Sequence, residues 1–296
     1  MRVFVTGASG WVGSAIVQEL LSAGHKVIGL VRSDEAAAKL AAAGAEVLRG
    51  SMEDLASLKS GAAKADGVIH TAFNHDFTKF AANSALDRDA IEALGSILEG
   101  SKRPLLVTSG FARRAAGRPV TEDDVPPPVS DTYPRASEHA AIALAERGVH
   151  ASIVRLAPSV HGRGDHGFVP RLVTLAREKG QAAYIGDGLN RWPGVHRLDA
   201  ARVYRLALER GAADERYHAA AEEGVPFKDI AGAIGKGLNL PVVARTGDEI
   251  AAHFGWFAGF ATMDMAASSE RTRKVLGWTP THPGLLDDIA HAGYCD

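Results

Sequence analysis

Thr6-Gly7-Ala8-Ser9-Gly10-Trp11-Val12-Gly13 follows the apolar run Val3-Phe4-Val5 and precedes a stretch of helical period that stops at Gly24. A strand that breaks at a glycine and turns directly into a helix leaves the first helical amides without partners, and it points the positive end of the helix dipole at the turn. Glycines there let the backbone approach a ligand that a β-carbon would keep away. Strand, glycine turn and helix N-terminus together describe a cradle for the pyrophosphate of a dinucleotide. The competing reading is a glycine turn that serves only to pack helix on strand.

Outward from this turn, short β-branched runs alternate with longer stretches rich in alanine and leucine, as in a parallel sheet covered by helices. Strands are expected at Val3 to Thr6, Lys26 to Val31, Glu46 to Leu48, Gly67 to Thr71, Leu105 to Ser109 and Ala151 to Leu156. Helices from about Gly13 to Ala23 and from about Ala36 to Ala43 are each followed by a glycine, Gly24 and Gly44, suited to the left-handed position after a helix end. The fold class is therefore α/β, a Rossmann-type doubly wound sheet. Beyond Pro158 glycine and proline become frequent and the pattern loosens. We divide the chain into a dinucleotide-binding core, residues 1–165, and a smaller substrate lobe, residues 166–296, with segments near 195–220 and 266–296 returning to the core. Pro126-Pro127-Pro128 lacks amide donors and reads as an extended surface loop.

Of 296 residues, 46% are hydrophobic and 23% charged, with a net charge of -2. Such a balance offers no footprint for nucleic acid or an anionic membrane. The single cysteine, Cys295, cannot form an internal disulfide, and no secretory leader or long apolar span is visible, so a cytoplasmic location is expected. The histidines show neither H-x-x-x-H nor H-E-x-x-H spacing, and no metal is expected.

The spacing Gly7-x-x-Gly10-x-x-Gly13 resembles the short-chain dehydrogenase/reductase superfamily, in particular its extended, epimerase-like branch. The resemblance implies cofactor contacts from Gly7, Ser9, Gly10, Trp11, Val12 and Gly13 in the turn. It implies further ones from Ser51 and Met52 after the third strand, Thr71 and Ala72 after the fourth, and Pro158, Ser159 and Val160 beside the nicotinamide. Arg32-Ser33 ends the second strand where an NAD binder usually carries an acidic residue. A guanidinium fork suits a 2'-phosphate, which favours NADP(H) over NAD; the alternative is a solvated surface arginine.

Carbonyl reduction by hydride transfer builds negative charge on the substrate oxygen and requires donors aimed at it. The family uses serine or threonine with tyrosine and lysine, which points to Ser109 at the end of the fifth strand and to Tyr133. The Y-x-x-x-K motif is broken, because Ser137 stands in the lysine position. A shifted register would put Pro134 in the tyrosine slot and Glu138 in the lysine slot, so neither alignment restores the pair. Arg135 and His139, four apart, share a helix face and are candidates to replace the lost charge, or are simply solvated. Candidate substrate residues are Phe73, Asn74, His75, His161, Phe168 and Trp192, the last two equally readable as core. Asp199 reads as structural. The leading expectation is an NADP(H)-dependent reductase of a small ketone or aldehyde; a nucleotide-sugar epimerase or dehydratase and a non-enzymatic NADP sensor are the alternatives. A homodimer is implied only by family analogy.

Overall fold

The six expected strands form, with a seventh, one parallel sheet. The computed structural model describes residues 1–111 and 118–296. Its first half alternates β1 (Arg2–Thr6), α1 (Trp11–Ser22), β2 (Lys26–Val31), α2 (Asp34–Ala42), β3 (Glu46–Arg49), α3 (Leu55–Ala63) and β4 (Gly67–His70). A single 3-10 turn, Phe77–Lys79, leads into α4 (Phe80–Leu98), followed by β5 (Leu105–Gly110), α5 (Ser137–Glu146) and β6 (Ala151–Leu156). The remainder comprises β7 (Ser159–His161), α6 (Phe168–Lys179), β8 (Ala182–Ile185), β9 (Arg191–His196), α7 (Arg197–Arg210), β10 (Arg216–Ala219), β11 (Glu222–Pro226), α8 (Phe227–Leu238) and β12 (Val242–Arg245). After α9 (Asp248–Phe254) come a 3-10 turn at Gly255–Phe257, α10 (Ala258–Ala261), α11 (Glu270–Leu276) and α12 (Leu285–His291).

The main sheet runs β10-β6-β5-β4-β1-β2-β3. Chain order reverses between β1 and β4, and in an open α/β sheet that crevice at the carboxyl ends is where ligands bind. Alternation along β1 divides the core between the two faces. Val3 and Val5 pack with Ile16 and Leu20 of α1 and with Val203 and Tyr204 of α7, whereas Phe4 packs with Leu58 of α3, Ile91 and Leu94 of α4 and Leu144 of α5. A third apolar cluster, around Trp192, Phe227, Phe254 and Phe257, belongs to the lobe. The lobe adds a three-stranded sheet, β11-β9-β7, and a two-stranded one, β12-β8. No helix among the described residues is long and apolar enough to cross a membrane.

The strands β7 to β12 were not anticipated, and the one that joins the main sheet is β10, a four-residue edge strand carrying Arg216 and His218 instead of an apolar run. The His218 ring has partners. Buried Arg155 of β6 reaches Glu138 of α5, with Nη2 to Oε2 at 2.7 Å and Nε to Oε1 at 3.0 Å, and its Nη1 donates to His218 Nε2 at 3.2 Å. His218 Nδ1 in turn lies 2.6 Å from the Ser268 carbonyl. Burial first and the Arg155 charge second push the His218 pKa down to about 3, so the ring is neutral and accepts from the guanidinium. Arg155 and Glu138 are only 3% and 4% exposed, and removing one partner would strand the other's charge in the interior. Arg155→Met is expected to lower stability by roughly 3–5 kcal/mol in urea unfolding, and adding Glu138→Leu to restore most of the loss. A single variant as stable as the parent would show that the pair is not desolvated.

Candidate active site

At the first turn the backbone is packed too closely for side chains. Gly7 has φ +66° and a β-carbon there would lie 2.8 Å from the Ala72 nitrogen, while one on Gly13 would lie 2.0 Å from the Gly7 oxygen. The Gly10 amide donates to that same oxygen at 2.8 Å and closes the turn. Ser14 is the first residue of α1 whose amide bonds back, to the Gly10 carbonyl at 2.9 Å, and no side chain caps the helix. The amides of Trp11, Val12 and Gly13 therefore point into an open cradle flanked by exposed Ser9 and Gly10. A cradle of this kind, which a β-carbon would fill, fits a pyrophosphate.

The other expected cofactor residues lie along the same carboxyl edge. Arg32 and Ser33 are exposed at the end of β2, and the Ser33 hydroxyl also caps α2 by accepting from the Ala36 amide at 3.2 Å. Ser51 follows β3; its hydroxyl, more than the smaller effect of Arg32, holds the Glu53 carboxyl below the ordinary range, and Met52 beside it is buried. Thr71 donates to the Thr6 carbonyl at 2.7 Å and the Ala72 amide reaches Thr6 Oγ1 at 3.3 Å. Trp11 ties the turn to β7 through a 2.7 Å bond from its indole nitrogen to the Val160 carbonyl, with the Arg197 guanidinium 4.0 Å above its ring. Pro158 is half-buried, and the Ser159 hydroxyl is buried without a hydrogen-bond partner.

Behind the turn runs a buried polar chain that the sequence did not disclose. Thr6 Oγ1 lies 2.8 Å from His70 Nδ1, His70 Nε2 lies 3.0 Å from Asp87 Oδ1, and Ser137 donates to Asp87 Oδ2 at 2.5 Å. Arg135 Nε completes the chain by donating to Ser137 Oγ at 3.2 Å. Ser137, in the lysine position counted from Tyr133, is thus wholly buried and committed to Asp87 of α4. Glu138, in the lysine position of the shifted register, is committed to Arg155. Neither slot presents a charge to the cleft.

Arg135 carries the cation nearest the tyrosine motif. Its guanidinium lies 4.5 Å above the Phe73 ring, and its charge acts on Tyr133 and on His75. Tyr133 is half-buried, with its backbone fixed by reciprocal 3.0 Å bonds to Ser130. Burial, and then the Glu138 charge, raise its pKa above the ordinary phenol value against the opposing pull of Arg135. Ser109 is 2% exposed and, among the described residues, its hydroxyl has only a 3.5 Å contact with the Gly110 carbonyl. No hydrogen bond joins Ser109 to Tyr133. His139 keeps Nδ1 buried without a partner.

The expected substrate residues separate into two groups. Phe73, Asn74 and His75 follow β4 on the accessible side of the cleft, and Phe168 opens α6 half-buried. Apolar surroundings first, and the Arg135 charge second, lower the His75 pKa even though the residue is exposed overall. His161 and Trp192 have no exposed surface. His161 Nδ1 is held by Asp288 at 2.6 Å, and Trp192 packs on Phe168, Phe227 and Phe257. Neither side chain opens onto the surface in this structure. Asp199 accepts from the amides of Thr281 and His282 at 2.9–3.1 Å, a structural role. Asp87, Phe77, Phe80, Trp256 and Phe260 were missed; the spacing of Phe73, Phe77 and Phe80 by four and three was the available signal.

Residues 3–220 match the NAD dependent epimerase/dehydratase family. An uncharacterized protein of Schizosaccharomyces pombe is 51% identical over 99% of this chain and 100% of its own length. The 4-hydroxy-2-methyl-3-oxo-4-farnesyl-3,4-dihydroquinoline-1-oxide ketoreductase of Stigmatella aurantiaca is 29% identical over 73% of this chain and 67% of its own. Among solved structures, the NAD-bound dTDP-glucose 4,6-dehydratase of Streptomyces venezuelae superposes with a TM-score of 0.78 at 20% identity, covering 99% of this chain and 95% of that one. At that identity the likeness is one of fold.

Two glycine substitutions are expected to have opposite outcomes. Gly13→Ala forces a β-carbon onto backbone that cannot yield and should abolish binding of reduced nicotinamide dinucleotide, followed by its fluorescence enhancement. Gly232→Ala in α8, where a β-carbon meets nothing within 4 Å, should leave binding intact and raise stability by about 0.5–1 kcal/mol.

Proposed function

The chain belongs to the NAD-dependent epimerase/dehydratase family, in the extended branch of the short-chain dehydrogenase/reductases, and from that premise we propose that it is an NADP(H)-dependent oxidoreductase that reduces a small ketone or aldehyde. The observation that carries this reading is Tyr133, a half-buried phenol in the segment that follows β5, two residues before Arg135, whose charge acts on it. A reduced dinucleotide held at the turn of Gly7, Gly10 and Gly13 would supply the hydride that the carbonyl carbon takes up. As the C=O π pair moves onto oxygen, the Tyr133 hydroxyl transfers its proton there, giving the alcohol, and the phenolate recovers a proton from solvent. Arg135 favours that transient phenolate in place of the absent lysine. Ser109 donates a second hydrogen bond to the same oxygen once its hydroxyl turns from its long contact with the Gly110 carbonyl.

A phenol that is protonated at neutral pH can act as a proton donor, and the Arg135 charge opposes the burial that would make it a weaker one. A protonated phenol suits an epimerase less, because that cycle begins by oxidising a sugar alcohol and needs the tyrosine as a base. Relatives that include a ketoreductase support the same direction. Arg32 and Ser33 supply the preference for NADP(H), since no acidic side chain follows β2 directly to bind the ribose hydroxyls. The lone cysteine accords with a cytoplasmic protein.

NADPH consumption with a panel of ketones and aldehydes tests this. Tyr133→Phe is expected to lower kcat/KM by about 10²-fold or more, and the parent's rate to hold through neutral pH and fall only above about pH 10, as the donor loses its proton. Equal rates in parent and variant would remove Tyr133 from the role. Arg32→Ala should raise the KM for NADPH about tenfold with little effect on that for NADH; an equal change in both would assign Arg32 to the surface.

A further inference from the structure

From the Arg135 end of the cleft a chain of aromatic rings runs without a break into the lobe. Phe73, beneath the Arg135 guanidinium, has its ring centroid 6.1 Å from that of Phe80, and Phe80 lies 5.8 Å from Phe77. Phe77 meets three lobe residues: Phe260 at 5.3 Å, Trp256 at 6.0 Å with the planes only 22° apart, and Phe168 at 6.2 Å. The first three rings stand on the loop and helix after β4, and the last three on α6, α10 and the turn before α10. Trp256 is 58% exposed, whereas Trp192 and Trp278 are 0% and 1% exposed. A tryptophan held open on a rim of half-buried phenylalanines is an apolar surface prepared for a ligand, since scattered surface residues do not align ring against ring.

We propose that this wall, Phe73, Phe77, Phe80, Phe168, Trp256 and Phe260, binds the aryl ring of the substrate, so that the enzyme's carbonyl compounds are aromatic or ring-conjugated aldehydes and ketones. The inference rests on the reductase reading of the same cleft. Phe73 lies under the Arg135 guanidinium, whose charge also acts on Tyr133, the proposed proton donor. A carbonyl directed at Tyr133 and Ser109 therefore carries its substituent along the wall. There it extends the Phe77 to Trp256 stack, in which neighbouring rings already sit within the 4.5–7 Å that offset and edge-on pairs prefer. Arg135 lies over Phe73, and the His75 ring meets Phe73 and Phe77 edge-on. Such a surface offers little to a sugar diphosphate and much to a planar apolar group.

The test compares benzaldehyde with cyclohexanecarbaldehyde, which match in ring size and differ in π-character, for the full chain and its Trp256→Ala and Phe77→Leu variants with NADPH. The expected result is a roughly tenfold preference in kcat/KM for benzaldehyde in the parent, at the upper end for one stacked ring pair. In Trp256→Ala that ratio should fall to within about twofold, with the change in KM. Trp256 is exposed, so this variant folds; Phe77→Leu keeps apolar volume and should also lose the preference. A parent ratio near one, or a ratio unchanged in Trp256→Ala, overturns the proposal and leaves the reductase reading standing. If neither aldehyde oxidises NADPH, it is the reductase reading that fails. Saturation-transfer NMR with benzyl alcohol and cyclohexylmethanol in one tube then decides the wall separately. Selective signal from benzyl alcohol that disappears in Trp256→Ala supports it, and equal signals overturn it.

Discussion

The oxygen of Gly7 lies where a β-carbon on Gly13 would come within 2.0 Å of it, and one on Gly7 would lie 2.8 Å from the Ala72 nitrogen. Because no side chain intervenes, α1 starts directly on the end of β1 and its first amides open towards β4. The carboxyl edge of the sheet takes its shape from that approach. Thr6, one residue before the turn, is bonded to Thr71, Ala72 and His70, so the strand ends on both sides of the crevice move as one piece.

His70 carries this rigidity onward. Its bond to Asp87, and that of Asp87 to Ser137, link the dinucleotide turn through α4 to the segment that bears Tyr133 and Arg135. A buried carboxylate is costly unless its lone pairs are satisfied, and Asp87, 1% exposed, has donors on both oxygens. The Glu138 to Arg155 pair does the same between α5 and β6. These two buried clusters occupy both positions in which a family lysine would stand. The tyrosine motif therefore departs from the family pattern as a whole: the place of one cation is taken by polar packing, and a different cation, Arg135, approaches from the cleft side.

Parallel strands buried on both faces are continuous apolar runs, and β1, β2, β4, β5 and β6 were legible in the sequence for that reason. β10 was not, because its burial depends on backbone pairing with β6 and on His218 finding Arg155, both more than sixty residues away. The glycine turn was legible because spacing alone dictates its geometry. Asp87 was hidden: on an amphipathic helix a buried acid looks like any solvated one until the helix is docked. That His161 and Trp192 are buried was not legible because periodicity cannot tell a lobe's core from its pocket, while Phe77 and Trp256 meet across a boundary that no local pattern crosses.

Transfer of label from (4-²H)NADPH, both C4 epimers tested, to a carbonyl substrate tests the central claim most directly. A reductase places one deuterium on the carbinol carbon of the released alcohol and gives stoichiometric NADP⁺, from one epimer only. An unlabelled product, or turnover in which the dinucleotide is returned unchanged to its starting state, would contradict the account and assign the site to internal epimerase or dehydratase chemistry.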